Sequence, residues 1–485
     1  MIIRHLIVFF ALMLAQSVWA APLGQQDLER IAEKAGLPLW AFAVAMVPAD
    51  GGEGGAYWHR ADAPMNPASA MKLVTTYGAL DLLGPHHQWG TSVYGQGQLS
   101  QNKRFEGDIY LQLTGDPKLT EERLWRLLKD VRNSGVDEIT GDIVIDDSAL
   151  RMPANPVVFD DNSGRPYAPY LVGPSPVLLN YNLHHLQVRV LSGQAVATLA
   201  PHVPGVRLVN ELQVSGTYCP PVDSLISVNE AKTEAGQSVL TLKGKVGAQC
   251  KYSRYLSLLP QHRYTQEVVA HLWQDMGGKL KGRVRFGGVP KQQVELLARS
   301  YSPDVASMVR DINKYSNNVM AQQLFLNIGA YHRTAKDEDD AAAARRTLTQ
   351  WMKEKGVNPE GLVLDNGSGL SRVERLTVRQ TADLLAQAWQ SPFAAEFIAS
   401  MPLVALDGTL RRRMRNSGLE GEGHLKTGAL ANARALAGYI RDGDGKPWIL
   451  VFYVNHSNAA KVLPALDNAL VQWHRSTNSE LALKQ

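Results

Sequence analysis

Residues 66–80 read N-P-A-S-A-M-K-L-V-T-T-Y-G-A-L. Asn66 is a capping residue and Pro67 is pre-shaped for a first helical turn, so a helix is predicted to begin there. Ser69 and Lys72 stand three apart, which on a helix places them on one face. Leu73, Val74 and Leu80 behind them are apolar enough to bury that helix. Taken alone, the pair fits a solvated turn as well as a nucleophile with its base. The chain carries its own control: Ser100-Gln-Asn-Lys103 has the same spacing inside the polar stretch G-Q-L-S-Q-N-K-R-F-E-G-D, with no helix behind it.

Outward from the helix, L-W-A-F-A-V-A-M-V and A-Y-W-H-R flank the turn P-A-D-G-G-E-G-G and predict a hairpin over residues 39–60. Before it, Q-Q-D-L-E-R-I-A-E-K-A-G-L predicts an amphipathic helix ending near Gly36. The last hundred residues alternate strand and turn through H-L-K-T-G-A-L, A-L-A-G-Y-I-R, D-G-D-G-K and W-I-L-V-F-Y-V, then close on a helix. Three strands joined by tight turns form an antiparallel sheet, and the early hairpin is placed to pair with it. Between the ends, from about 88 to 295, short alternating segments such as G-D-I-Y-L-Q-L and V-L-T-L-K-G-K-V predict a β-rich region with its own core. Helices return near 300, over the periodic stretch 302–325. The acids Asp337 to Asp340 read as charges at a helix start, matching the dipole, rather than as a cation site.

The fold class expected is therefore α/β: an antiparallel sheet flanked by helices, built from residues 21–87 and 296–485. A β-rich insertion over 88–295, divided into two subdomains, interrupts it. The chain has 485 residues, 45% apolar and 20% charged, the balance of a folded protein of two or three domains. A net charge of +4 is too mild to argue for nucleic acid, and Arg411-Arg412-Arg413-Met414-Arg415 reads as a solvated face. M-I-I-R-H, then L-I-V-F-F-A-L-M-L, then S-V-W-A-A has the order of a secretory leader cleaved after Ala20, and no transmembrane segment is expected after cleavage. Cys219 and Cys250 fit an oxidising compartment. Bridged, they would close a loop of roughly 30 residues, worth roughly 3–4 kcal/mol in the chain-entropy treatment. No metal is expected: two cysteines build no cluster, and the pairs His86-His87 and His184-His185 are adjacent rather than four apart.

Two further triplets bear on the opening pair. Ser-x-Asn occurs at Ser100–Asn102, Ser227–Asn229, Ser316–Asn318 and Ser476–Asn478, and only Ser316-Asn317-Asn318 lies on or beside a long periodic helix between the opening motif and the terminal sheet. Lys-Thr-Gly occurs once, at Lys426-Thr427-Gly428, on a predicted strand. Each is weak alone. In this order, on helix, helix edge and strand, they reinforce one another.

S-A-M-K, S-N-N and K-T-G together resemble the set shared by penicillin-binding proteins and serine β-lactamases. The chain most resembles the class C low-molecular-mass penicillin-binding proteins, the D-alanyl-D-alanine carboxypeptidase/endopeptidase group. The 244 positions between Lys72 and Ser316 leave room for that group's insertion, and L-T-G-D-P-K-L-T at 113–120 and D-N-G-S-G-L-S-R at 365–372 look like its other recurring stretches. The resemblance covers nearly the whole mature chain. It implies a periplasmic serine DD-peptidase without cofactor, acting on peptidoglycan stem peptides and cross-links and acylated by β-lactams. It also implies the roles: Ser69 as nucleophile, Lys72 as its adjacent base, Ser316 as proton relay and Asn318 as orienter, with the first proton going either to a lysine or to the relay. Lys426 and Thr427 would hold the terminal carboxylate, Gly428 would admit the substrate backbone, and the N–H groups of Ser69 and Ala429 would form the oxyanion hole. Arg372 would either pair a carboxylate on the stem peptide's diamino acid or brace the glycine loop.

Two departures from the group's pattern touch that diamino acid. Ala431 stands where a glutamine is usual, and on the insertion's lip neither Asp161 nor Tyr170 aligns with the usual acid. A serine β-lactamase uses the same three motifs, but no convincing Glu-x-x-x-Asn loop for deacylation is found, and the long insertion is foreign to compact β-lactamases. A non-catalytic wall-binding scaffold is the remaining alternative, against which the intact Ser69, Lys72 and Lys426 argue.

Overall fold

The structure, a computed structural model, describes residues 22–51, 55–154, 159–160, 163–230 and 236–478; the predicted leader and its cleavage site at Ala20 lie outside them. The two ends of the chain meet in one sheet. Phe42–Pro48 pairs antiparallel with Pro447–Asn455, Phe42 opposite Val454 and Pro48 opposite Trp448. The full order is Gly423–Leu430, Ala433–Arg441, Pro447–Asn455, Phe42–Pro48, Tyr57–His59, all antiparallel.

These strands read as nearly unbroken apolar runs because both faces are covered. Alternation sends Phe42, Val44, Met46, Leu450 and Phe452 to one side, where they pack with Leu28 and Ile31 of Gln25–Ala35 and Leu466 and Leu470 of Leu463–Ser476. It sends Ala43, Ala45, Ala435, Ala437 and Val451 to the other side. Those alanines leave room for a helix to lie close, and Val378–Trp389 lies there, its Thr381 hydroxyl sharing a hydrogen bond of 2.7 Å with Tyr453. The helix Lys72–Leu82 is buried in the same core. Leu73, Val74 and Leu80 are fully buried, each contributing about 1.5–3 kcal/mol by burial.

The helix does not begin where the capping pattern predicts. Asn66 Oδ1 accepts the Ala68 N–H at 2.9 Å, but Ala68–Met71 is a single 3₁₀ turn and the α-helix starts at Lys72. Ser69 therefore sits on the tighter turn ahead of the helix. The 302–325 stretch likewise divides, into Val305–Tyr315 and Asn318–His332. The expectation for the acids holds at Asp339, whose carboxylate caps Asp340–Glu354 through the Ala342 N–H at 2.7 Å. Asp337 and Asp340 add ion pairs with Arg346 and Arg333.

The β-rich region packs a seven-stranded sheet and two three-stranded sheets over one shared apolar core that runs from Val93 and Phe105 to Leu186, Leu240 and Val284. The boundary expected at 295/296 falls inside a strand: Glu295–Tyr301 pairs with Gly90–Leu99, so the chain stays in this sheet until 301. Its polar alternation, E-L-L-A-R-S-Y, gave no sign of that pairing. Cys219 and Cys250 are bridged, with Cα atoms 5.5 Å apart.

Candidate active site

Three pieces of chain converge beside the sheet's edge strand. Asn66 anchors the first: it donates to the Ser371 carbonyl at 2.8 Å, and its backbone exchanges hydrogen bonds of 2.7 and 2.9 Å with the Asn455 side chain. The turn bearing Ser69 is thus tied to the 365–372 loop and to the last strand of the sheet. Ala68 holds φ at 45°, an uncommon conformation for an alanine, immediately before Ser69.

The second piece follows from S-N-N. Ser316 ends Val305–Tyr315 with φ 54° and ψ 40°, Asn317 caps the next helix through the Met320 N–H, and Asn318 is that helix's first residue. A serine held in the left-handed region carries strain that a glycine would avoid; its hydroxyl accounts for it, accepting from Lys426 Nζ at 2.9 Å. Lys426 comes from the third piece, the edge strand Gly423–Leu430, and also donates to the Thr427 carbonyl at 2.7 Å.

Lys72 joins the pieces. Its ammonium donates to Ser69 Oγ at 3.1 Å, to Asn318 Oδ1 at 2.7 Å and, in a short contact, to the Ser368 carbonyl. Both lysines are fully buried. Burial pulls the Lys72 ammonium down to about 7, opposed by the charge of Glu374. Lys426 is pushed well below its ordinary value by burial and by repulsion from Lys72. The repulsion between the two lysines acts on Lys426, whereas Lys72 is lowered by burial alone.

Two glycines allow the approach. A Cβ on Gly428 would stand 2.8 Å from the Pro67 carbonyl oxygen and 3.0 Å from the Ser69 nitrogen; one on Gly369 would stand 1.9 Å from the Ala68 oxygen. Thr427 Oγ1 shares a hydrogen bond of 2.7 Å with Thr409 Oγ1. Ala429 is exposed one residue further along the strand, and Ala431 is exposed in the turn that follows. The structure therefore brings together Ser69, Lys72, Ser316, Asn318, Lys426, Thr427 and Gly428.

Of the two roles weighed for Arg372, the contacts present are those of a brace. Its guanidinium donates to the Asp160 carbonyl at 2.6 Å and lies 5.2 Å over the Phe159 ring, linking the glycine loop to the lip of the β-rich region. Tyr170, on the same lip, accepts from Asn318 Nδ2 through its carbonyl at 3.0 Å. Asp161 lies outside the described residues. Sequence reasoning missed the Ser368 and Tyr170 carbonyls, Thr409 and the buried Glu374. D-G-T-L at 407–410 was a visible signal for Thr409, whereas backbone acceptors leave no residue-type signal at all.

Known proteins share this fold. A D-alanyl-D-alanine carboxypeptidase from Actinomadura sp. (strain R39) is 28% identical over 456 residues, covering 90% of this chain and 82% of the relative. The crystal structure of penicillin binding protein 4 (dacB) from Haemophilus influenzae superposes with a TM-score of 0.73 at 18% identity, over 92% of this chain and 99% of that one. A penicillin G-acylated predatory endopeptidase from Bdellovibrio bacteriovorus superposes at 0.50 and 14% identity, over 90% and 92%. The D-Ala-D-Ala carboxypeptidase 3 (S13) family matches over residues 24–477, and the chain belongs to that family.

Proposed function

We propose that this enzyme cleaves terminal D-Ala-D-Ala from peptidoglycan stem peptides, and the D-Ala-linked bonds of cross-links, through an acyl-enzyme on Ser69. The observation that carries the reading is the hydrogen-bond tripod of Lys72. Asn318 Oδ1 and the Ser368 carbonyl can only accept, whereas Ser69 Oγ can accept or donate. When Lys72 loses a proton, its two remaining N–H groups stay with the pure acceptors. The lone pair is left facing Ser69, and a serine hydroxyl needs such an adjacent base to attack. With Lys72 brought down to about 7, that state is well populated at neutral pH.

The remaining roles follow from position. Lys426 spends two donors on Ser316 Oγ and the Thr427 carbonyl, leaving its third N–H for the free carboxylate of a terminal D-alanine. That carboxylate would draw the Lys426 ammonium back up and charge it on binding. Ser316, held by Lys426, is placed to pass a proton to the departing amine. Asn318, pinned between Lys72 and the Tyr170 carbonyl, orients the lysine and the substrate amide. Gly428 lets the scissile carbonyl approach the N–H groups of Ser69 and Ala429, where an oxyanion donor is worth roughly 3–4 kcal/mol. Arg372 ties the lip to the glycine loop and so shapes the opening that the stem peptide enters. Action on peptidoglycan places the mature chain in the periplasm, with the bridged Cys219–Cys250 in keeping with an oxidising compartment. Among the described residues no helix is long and apolar enough to cross a membrane.

The test is to incubate the protein with fluorescent penicillin and map the label, then digest purified sacculi and identify the muropeptides. The label is expected on Ser69 and absent from Ser69→Ala, with D-alanine and cleaved cross-links among the products. Fast turnover of nitrocefin without a lasting acyl-enzyme would instead mark a β-lactamase.

A further inference from the structure

We propose that Glu374 is a positioning residue for Lys72: its buried carboxylate fastens the 365–368 loop that offers the Ser368 carbonyl to the lysine, and its charge acts on the lysine ammonium. This rests on the reading of Lys72 as the base of Ser69.

Glu374 is fully buried. Its Oε1 gathers the N–H groups of Gly367 at 3.0 Å, Asn366 at 3.2 Å and Asp365 at 3.4 Å. With three N–H groups turned inward onto one oxygen, the loop's carbonyls turn outward to the nucleophile helix. The Gly367 carbonyl accepts from Thr75 Oγ1 at 2.7 Å and the Ser368 carbonyl from Lys72. One carboxylate thus sets the loop that supplies one of the three acceptors around Lys72. Its other oxygen, Oε2, is buried and has no hydrogen-bond partner among the described residues.

The charged groups around it come from each neighbouring element. Lys72 faces it from the helix, with Lys426 beyond on the edge strand. Asp365 lies on its own loop, and Arg345 reaches that residue's carbonyl at 3.4 Å. Arg372 and Arg375 flank Glu374 in sequence but bind backbone carbonyls. Asn318–His332 brings two neutral groups to the loop and the lysine: Gln322 donates to Ser368 Oγ, and Asn318 accepts from Lys72. Burial pushes the Glu374 carboxyl up to about 7 against the pull of the loop N–H groups, and its charge is what opposes the fall of Lys72. Two buried groups that titrate in one range are coupled. Removing the negative charge makes the lysine easier to deprotonate, so the acid limb of acylation moves to lower pH.

The experiment measures the second-order rate of acylation by fluorescent penicillin across pH for the full chain, Glu374→Gln and Glu374→Ala. Glutamine keeps an oxygen for the loop N–H groups and removes the charge. Its plateau is expected within roughly 3-fold of wild type, with the acid limb displaced downward. Alanine releases the loop, and its plateau is expected to fall roughly 10-fold or more. A Glu374→Gln profile that superimposes on wild type, or moves to higher pH, overturns the proposal; so does a wild-type plateau in Glu374→Ala. Should glutamine prevent folding, Glu374→Asp gives the complementary result: charge kept and reach shortened, so the plateau falls while the limb stays, and a displaced limb there is equally fatal. Undiminished acylation in Lys72→Met would instead defeat the underlying reading of the base, whatever the Glu374 variants show.

Discussion

The chain contains Ser-x-x-Lys twice, and the two copies behave as opposites. Ser69 and Lys72 lie where a 3₁₀ turn becomes a helix whose residues from Lys72 to Leu80 are all buried. Ser100 and Lys103 form the turn between strands Gly90–Leu99 and Arg104–Gln112. There Lys103 extends into water toward Asp137 at 3.9 Å, and the Ser100 hydroxyl accepts from its neighbour's backbone, Arg104 N–H, at 3.3 Å. Spacing is identical; dielectric and partners are not. A lysine becomes a base when water is removed from its ammonium and its protons have fixed acceptors, and only the first copy supplies both conditions.

The largest expected difference lies in the lysines themselves. Lys72→Met keeps the length of the side chain and removes the base, and acylation by penicillin should fall roughly 10³-fold or more. Lys103→Met removes an exposed amine and should leave the acylation rate unchanged. Stopped-flow or gel-based labelling rates separate the two. Comparable losses in both variants would mean that burial is not what distinguishes the copies.

How much of this was legible depended on whether the signal was a residue type or a place. Ser69, Lys72, Ser316, Asn318 and Lys426 could be singled out because the proposed acyl transfer calls for those side chains in those local patterns. The sheet shared by both ends was legible because Phe42–Pro48 and Pro447–Asn455 are apolar on both faces, which only a covered sheet requires. The break at Ser316 was not, since a left-handed residue ending a helix is ordinarily announced by glycine. Nor were the Ser368 and Tyr170 carbonyls, because every residue has one. Glu374 stood in V-E-R-L, where nothing in the pattern says that its carboxylate turns inward.

A middle-sized effect should come from backbone that one copy cannot spare. Gly369 holds φ at 80°, and a Cβ there would lie 1.9 Å from the Ala68 oxygen and 2.7 Å from the Ser69 nitrogen. Gly369→Ala should cost about 1–3 kcal/mol for the backbone conformation alone. Displacing the nucleophile's turn by a fraction of an ångström should slow acylation by roughly 10²-fold. The other copy offers the mirror experiment: Lys103 itself holds φ at 58° with its side chain in water, so Lys103→Gly relieves strain and should leave acylation untouched. Calorimetry and labelling rates together test this. A Gly369→Ala protein with normal acylation would show that the turn does not depend on the loop beneath it.

The smallest effect concerns a hydroxyl at the edge of the site. Thr409 and Thr427 share a hydrogen bond of 2.7 Å, and in the proposed mechanism Thr427 holds the substrate carboxylate alongside Lys426. Removing one partner of a half-exposed neutral pair costs about 0.5–1.5 kcal/mol, because water can replace part of what is lost. Thr409→Val should therefore leave Thr427 free to rotate and raise KM for a D-Ala-D-Ala peptide roughly 2- to 10-fold, with kcat nearly constant. Ser100→Ala in the outlying turn deletes a comparable hydroxyl with no substrate near it and should change neither constant. Should Thr409→Val lower kcat while KM stays fixed, the hydroxyl would belong with the groups that act in the transition state. The contrast between the copies would then extend to side chains that touch neither Ser69 nor Lys72.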